Sequence, residues 1–155
     1  MAKLYLVRHA KAGERRLWED DDVDRPLSAK GWKQAELLGE RLAALEVSTL
    51  HSSPYVRCVQ TLEPLAGRLG RSIAVEHRLC EDEPFEPVLD LLAELPAGAV
   101  MSSHGDIIPA TLAALERRGT EIRTPADWRK ATVWVLKRNK RGVIVHATVW
   151  PPPVL

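Results

Sequence analysis

A chain of 155 residues with 45% apolar and 28% charged side chains has the length and composition of one globular domain, which excludes a mainly disordered protein. Lysine plus arginine (22) against aspartate plus glutamate (21) leave a formal net charge of +1, short of the basic balance of a nucleic-acid binder, so no nucleic-acid polymer is expected as a partner. No apolar run approaches the roughly 18 residues that cross a bilayer, Leu4 to Val7 run straight into Arg8 and His9, and the two cysteines, Cys58 and Cys80, are too far apart for a zinc knuckle, so a cytoplasmic protein with no membrane segment is expected.

The first predicted strand is Lys3 to Val7. Glu14 to Pro26 is polar and acidic and is predicted as a loop, after which Ser28 caps a helix whose apolar face is Ala35, Leu38, Leu42 and Leu45. A second strand, Thr49 to Ser52, leads into Ser53, a good N-cap, and Pro54, preformed for a first helical position, so that Arg57 falls in the opening turn. Ser72 to Val75 and Ala99 to Ser102 are further strands, and helical spacing returns at Val88, Leu91, Leu92 and Leu95 and at Ile108, Thr111, Leu112 and Leu115. Ala131 to Leu136 and Val143 to Val149 flank a turn-like stretch, Arg138 to Gly142, and predict a hairpin. Strands alternating with helices predict an α/β fold in three layers, a mainly parallel central sheet with helices on both faces. The domain is expected over residues 1–150, with a Pro-rich tail at 151–155.

In open α/β sheets, ligands bind beyond the carboxyl ends of the strands. Three predicted strands end in chemistry there: Arg8 and His9, then Ser53 with Arg57 shortly after, then His104 and Gly105. Two arginines and two histidines at adjacent strand ends, beside helix N-termini, suit an anion. A neutral imidazole can attack phosphorus to give a phosphohistidine, while Arg8, Arg57 and a protonated His104 neutralise the nonbridging oxygens.

The stretches LVRHAKAG (Leu6 to Gly13), SSPYVRCVQT (Ser52 to Thr61), LCE (Leu79 to Glu81) and SSHGD (Ser102 to Asp106) resemble, in order, the motifs of the histidine phosphatase superfamily. The resemblance implies the phosphoglycerate mutase-like fold, a phosphoryl-accepting His9, phosphate-binding Arg8, Arg57 and His104, and a proton donor at Glu81. RHAKA, the short length and RPLS-x-x-G (Arg25 to Gly31) look most like bacterial phosphohistidine phosphatases of the SixA type. SPYVRCVQTLEPLA is also similar to domains fused behind Nudix nucleotide hydrolases, which makes a small nucleotide the alternative to a phosphohistidine protein. A sugar phosphate is the other small phosphometabolite considered, although the substrate-binding insertions of the mutase members are lacking. The usual glycine after the nucleophile is Ala10 here.

Asp82, Glu83 and Asp106 compete with Glu81 for the donor role, and Asp106 is separated from His104 by Gly105. Lys11, Arg15, Arg16, Trp18 and Arg25, all near the first motif, are the expected substrate contacts beside the phosphate ligands. His51, His77 and His146 lie in or beside strands without partner motifs and are expected to be structural. Asp20, Asp22 and Asp24 take the first, third and fifth places of a calcium loop, but Arg25 and Gly31 occupy the places that need glycine and glutamate. With no phosphate-binding glycine loop and no metal-spaced histidine pair, neither cofactor nor metal is expected. A noncatalytic module that merely holds a phosphorylated ligand is the competing class, and it would have no use for His9.

Overall fold

The computed structural model describes residues 1–155. Seven strands form one sheet: β1 (Ala2–Arg8), β2 (Leu50–Ser52), β3 (Ile73–Val75), β4 (Val100–Ser103), β5 (Glu121–Ile122), β6 (Val133–Arg138) and β7 (Ile144–Trp150), in the order β3-β2-β4-β1-β6-β7-β5. β3, β2, β4 and β1 run parallel, as does the β5/β7 pair, while β6 is antiparallel to both β1 and β7. Four helices cover the sheet: α1 (Ala29–Ala43), α2 (Val56–Leu69), α3 (Glu86–Glu94) and α4 (Ile107–Arg117). No helix is long and apolar enough to cross a membrane.

The two-residue period of β1 sorts the core. Leu4 and Leu6 face the layer of α3 and α4 together with Trp134 and Leu136 of β6, whereas Tyr5 and Val7 face α1 and α2 with Val133 and Val135. A strand buried on both faces has no polar side, which is why Leu4 to Val7 is continuously apolar. The expected three-layer α/β architecture is the observed one.

The segment after β1 is fastened to the first helical layer. Ser28 caps α1 by accepting from the Gly31 amide, and both its amide and its hydroxyl donate to the Lys11 carbonyl. The Lys11 amide donates to Gln34 Oε1 at 3.0 Å, and the Ala10 amide to Thr61 Oγ1 of α2 at 2.9 Å. Gly31 is what permits this approach: a Cβ there would lie 1.9 Å from the Lys11 carbonyl oxygen.

One local expectation is corrected, and two features add to the prediction. Ser53 does not cap α2: its hydroxyl pairs with His104 and accepts only from the Tyr55 amide, and the helix begins at Val56 after Tyr55; Arg57 still lies in the first turn. The acidic stretch Glu14 to Pro26 contains two short 3-10 turns, Arg15–Leu17 and Asp22–Asp24, the second capped by Asp21. The two-residue β5 carries too short a pattern to be seen in sequence.

Replacing Gly31 by alanine is expected to destabilise the fold by about 1–3 kcal/mol, since backbone must move to admit the methyl group. Denaturant unfolding of G31A against the parent chain measures it; an unchanged midpoint would show that the strap does not depend on this approach.

Candidate active site

Adjacent parallel strands bring the three predicted strand ends together. Arg8 is in register with Ser103, the His9 amide donates to the Ser103 carbonyl at 3.1 Å, and the Ser53 amide donates to the Ser102 carbonyl at 3.0 Å. His9 and His104 therefore follow neighbouring strands, and their ring centroids are 5.6 Å apart. Above them opens a cavity of about 440 Å³ lined by Arg8, His9 and Arg57, with Glu81 and Asp106 on its wall.

His9 is 6% exposed, and its Nδ1 donates to the Ala10 carbonyl at 2.8 Å. That bond fixes the tautomer and leaves Nε2 with the lone pair. Burial pushes its pKa down to about 3, against the Ala10 bond, and His104, Arg57 and Arg8 push it further the same way. A neutral imidazole with a free Nε2 is the form that can attack phosphorus.

His104 lies deeper than expected. It is 1% exposed and does not line the cavity; its Nε2 is 2.8 Å from Ser53 Oγ, Tyr55 packs edge-on at 4.7 Å, and Glu81 Oε2 is 3.7 Å from Nδ1. Burial, followed by the charge of Arg57, holds its pKa down at about 4. The protonated His104 of the sequence reading is thus corrected to a neutral ring in the ligand-free site, because one more charge in this dry, already cationic position is too costly.

Arg57 is 1% exposed and held by three bonds: Nη1 donates to the Asp22 carbonyl (2.9 Å), and Nη2 donates to Asp22 Oδ2 (3.1 Å) and to Glu81 Oε1 (2.8 Å). Asp22 also accepts from Arg25 Nε at 2.8 Å and lies 3.5 Å from Arg15 Nη2. Burial alone would raise the Asp22 pKa, but these arginines outweigh it and keep the carboxyl below its usual range. Arg8 donates to the Trp128 carbonyl, and its guanidinium lies flat over Gly105, where a Cβ would come within 2.6 Å of Arg8 Cζ.

Of the four acids weighed as donors, Glu83 does not line the cavity, and Asp106 has both oxygens engaged by backbone amides, Ile107 on Oδ1 and Asp82 on Oδ2, each at 2.9 Å. Glu81 lines the same cavity with no backbone amide bonded to it, and partial burial raises its pKa in spite of Arg57 and Arg15.

Lys11, Arg15 and Arg25 line the cavity, but Arg16 and Trp18 do not. Arg16 turns to Glu14 at 2.8 Å and the Trp18 indole donates to the Asp21 carbonyl, so short-range bonds keep both on the outer side of the loop. Lys130 was not singled out in the sequence, and Asp22 was considered there only as a place in a calcium loop. Lys130 reaches the cavity because the Ala131 amide is bonded to the Arg8 and His9 carbonyls, a connection across more than 120 residues that no local pattern announces.

A family model for the histidine phosphatase superfamily, branch 1, matches residues 4–83. This chain belongs to that superfamily. The 8-oxo-(d)GTP phosphatase of Mycolicibacterium smegmatis is 35% identical over 96% of this histidine phosphatase chain, which spans 48% of that relative's length. Among solved structures, the protein histidine phosphatase SixA bound to tungstate superposes with a TM-score of 0.76 at 22% identity, covering 96% of this chain and 94% of SixA. A mycobacterial glucosyl-3-phosphoglycerate phosphatase complexed with VO3 gives 0.72 at 19% identity, with 99% and 100% covered. These likenesses establish the phosphoglycerate mutase-like fold.

Because His9 is neutral when folded and titrates near pH 6.5 when unfolded, the unfolded chain binds the proton first as pH falls. Stability is therefore lost between pH 6.5 and about 3. Relative to His9→Gln, the parent chain is expected to lose up to about 1.4 kcal/mol more per pH unit in that window. Parallel stability curves for the two proteins would show that His9 is not held neutral.

Proposed function

We propose that the chain hydrolyses a small phosphorylated metabolite of nucleotide type through a phosphohistidine at His9, with Glu81 as acid and then base. The observation that carries this reading is the Glu81 carboxyl, hydrogen-bonded to Arg57 on the wall of the His9 cavity and raised in pKa by burial. An oxygen leaving group needs such a proton, whereas a phosphohistidine departs as an imidazole that is much easier to expel. The 35% identity to an 8-oxo-(d)GTP phosphatase across 96% of this chain supports the same substrate type.

In the first step His9 Nε2 attacks phosphorus, and the bond to the leaving oxygen breaks. Its electron pair stays with that oxygen, which takes the proton of Glu81. Arg8 and Arg57 hold the nonbridging oxygens, and their fixed positions place charge where it develops. The incoming phosphate dianion raises the pKa of Glu81, so the acid is protonated once substrate is bound. In the second step the Glu81 carboxylate removes a proton from water, the water oxygen attacks phosphorus, and the P–N bond breaks with its electron pair returning to Nε2. Arginine and histidine supply all the charge neutralisation, so no metal enters.

A phosphohistidine protein is the second reading, favoured by the exposed rim beside the cavity, where Arg15, Arg16 and the 70%-exposed Leu17 offer a surface to a docking protein. A panel of nucleotides, sugar phosphates and a phosphohistidine protein decides between the two by their kcat/KM values.

His9→Ala is expected to abolish turnover with the fold intact, and parent activity is expected to persist in excess chelator. Activity lost to chelator and restored by magnesium would overturn the metal-free mechanism.

Glu81→Gln is expected to slow alkyl phosphates about 100-fold or more and aryl phosphates much less, because a phenolate leaves without help. A silent Glu81→Gln beside an impaired Asp106→Asn would move the acid to Asp106.

A further inference from the structure

Next to the catalytic cavity, and sharing Arg8, Lys11 and Lys130 with it, runs a second groove of about 580 Å³. Its remaining polar lining is Lys30, Gln34 and Arg129, and its other wall is the segment Pro152 to Leu155. The contrast with the first cavity is in the charge. Glu14, Glu81, Asp82 and Asp106 offset the cations there, whereas no acidic side chain lines the groove. Arg129 is paired with Asp127 at 2.6 Å, but Lys11, Lys30 and Lys130 form no ion pair.

Three details suit this lining to an anion. Lys30 sits in the first turn of α1, where the helix dipole disfavours a cation and no acidic residue compensates it. Gln34, only 7% exposed, has its carbonyl oxygen committed to the Lys11 amide; its amide nitrogen has no protein acceptor, so a donor remains on the groove. Burial lowers the pKa of Lys130, and Arg8, Arg25, Lys11 and Arg57 lower it further.

We propose that this groove is a subsite for a second phosphoryl group directly joined to the scissile one, so that the substrate is a phosphoanhydride whose terminal phosphate enters the His9 cavity. The inference rests on the phosphatase reading of that cavity and narrows its substrate class. Arg8 and Lys11, common to both compartments, stand between the two phosphates; Lys30 and the Gln34 amide serve the inner one. A monophosphate fills only the first compartment. A nucleoside polyphosphate and an inorganic polyphosphate share the required chemistry.

The test uses probes that cannot be hydrolysed: methylphosphonate, methylenebisphosphonate and α,β-methylene-ADP, titrated calorimetrically into the full chain. Methylenebisphosphonate is expected to bind at least about 10-fold more tightly than methylphosphonate. Lys30→Gln is expected to cut that advantage about 3-fold and Lys30→Glu to remove most of it, each with less than a 2-fold effect on methylphosphonate. Lys30 is exposed, so neither variant threatens the fold. Tighter binding of α,β-methylene-ADP than of methylenebisphosphonate identifies the nucleotide as the source, and equal binding identifies the inorganic chain; both support the subsite. If methylphosphonate binds but the bisphosphonate gains nothing, or if the Lys30 variants weaken both ligands alike, the subsite is overturned. Failure of methylphosphonate itself to bind would instead overturn the phosphate-cavity reading.

Discussion

The positive charge of Arg57 is almost wholly withdrawn from water, and much of the site exists in the form that this burial requires. A buried guanidinium is tolerable only when most of its donors find acceptors; Nη1 and Nη2 find two on Asp22 and one on Glu81, while Nε has none. Glu81 is thereby set on the cavity wall, and the Asp22–Asp24 turn is drawn onto the first turn of α2. The same charge contributes to holding both histidines neutral, which for His9 is the nucleophilic form. One buried cation thus orients Glu81, anchors the loop and helps to hold His9 neutral.

Such an arrangement explains which parts were legible in the sequence. His9, Arg57 and His104 could be found because each follows the end of a predicted strand, and parallel strands ending on one edge must bring such residues together. Register adds what the pattern omits: Arg8 opposite Ser103 makes His9 and His104 immediate neighbours. Ser53 shows the limit of local rules, for a residue well suited to cap a helix is used instead to hold a histidine. Proximity in the chain misled for Arg16 and Trp18, whose side chains are satisfied within three residues of themselves.

Asp22 and Lys130 were illegible for the opposite reason. Each is an unremarkable charged residue in an irregular stretch, and each is made relevant by distant backbone: Asp22 by α2, and Lys130 by the amide of Ala131 clasping the end of β1. Ala131 itself takes a left-handed conformation to do so, with φ of 65°, and the neighbouring Trp128 is stacked on Trp134 at 5.1 Å. Tertiary geometry of this kind has no period to detect.

Asp22 also gives the loop a thermodynamic character. Its carboxylate occupies the guanidinium of Arg57, so in the proposed reaction an arriving phosphate dianion would meet an arginine that already has an anionic partner. Entry is an exchange of one counter-ion for another rather than the filling of a bare positive hole. Exchange of this kind is reciprocal: to the extent that phosphate displaces Asp22, it loosens the turn from α2, and whatever tightens the turn on α2 weakens phosphate by the same factor. A segment that is structurally a rim is, in free-energy terms, a competitor of the ligand it surrounds.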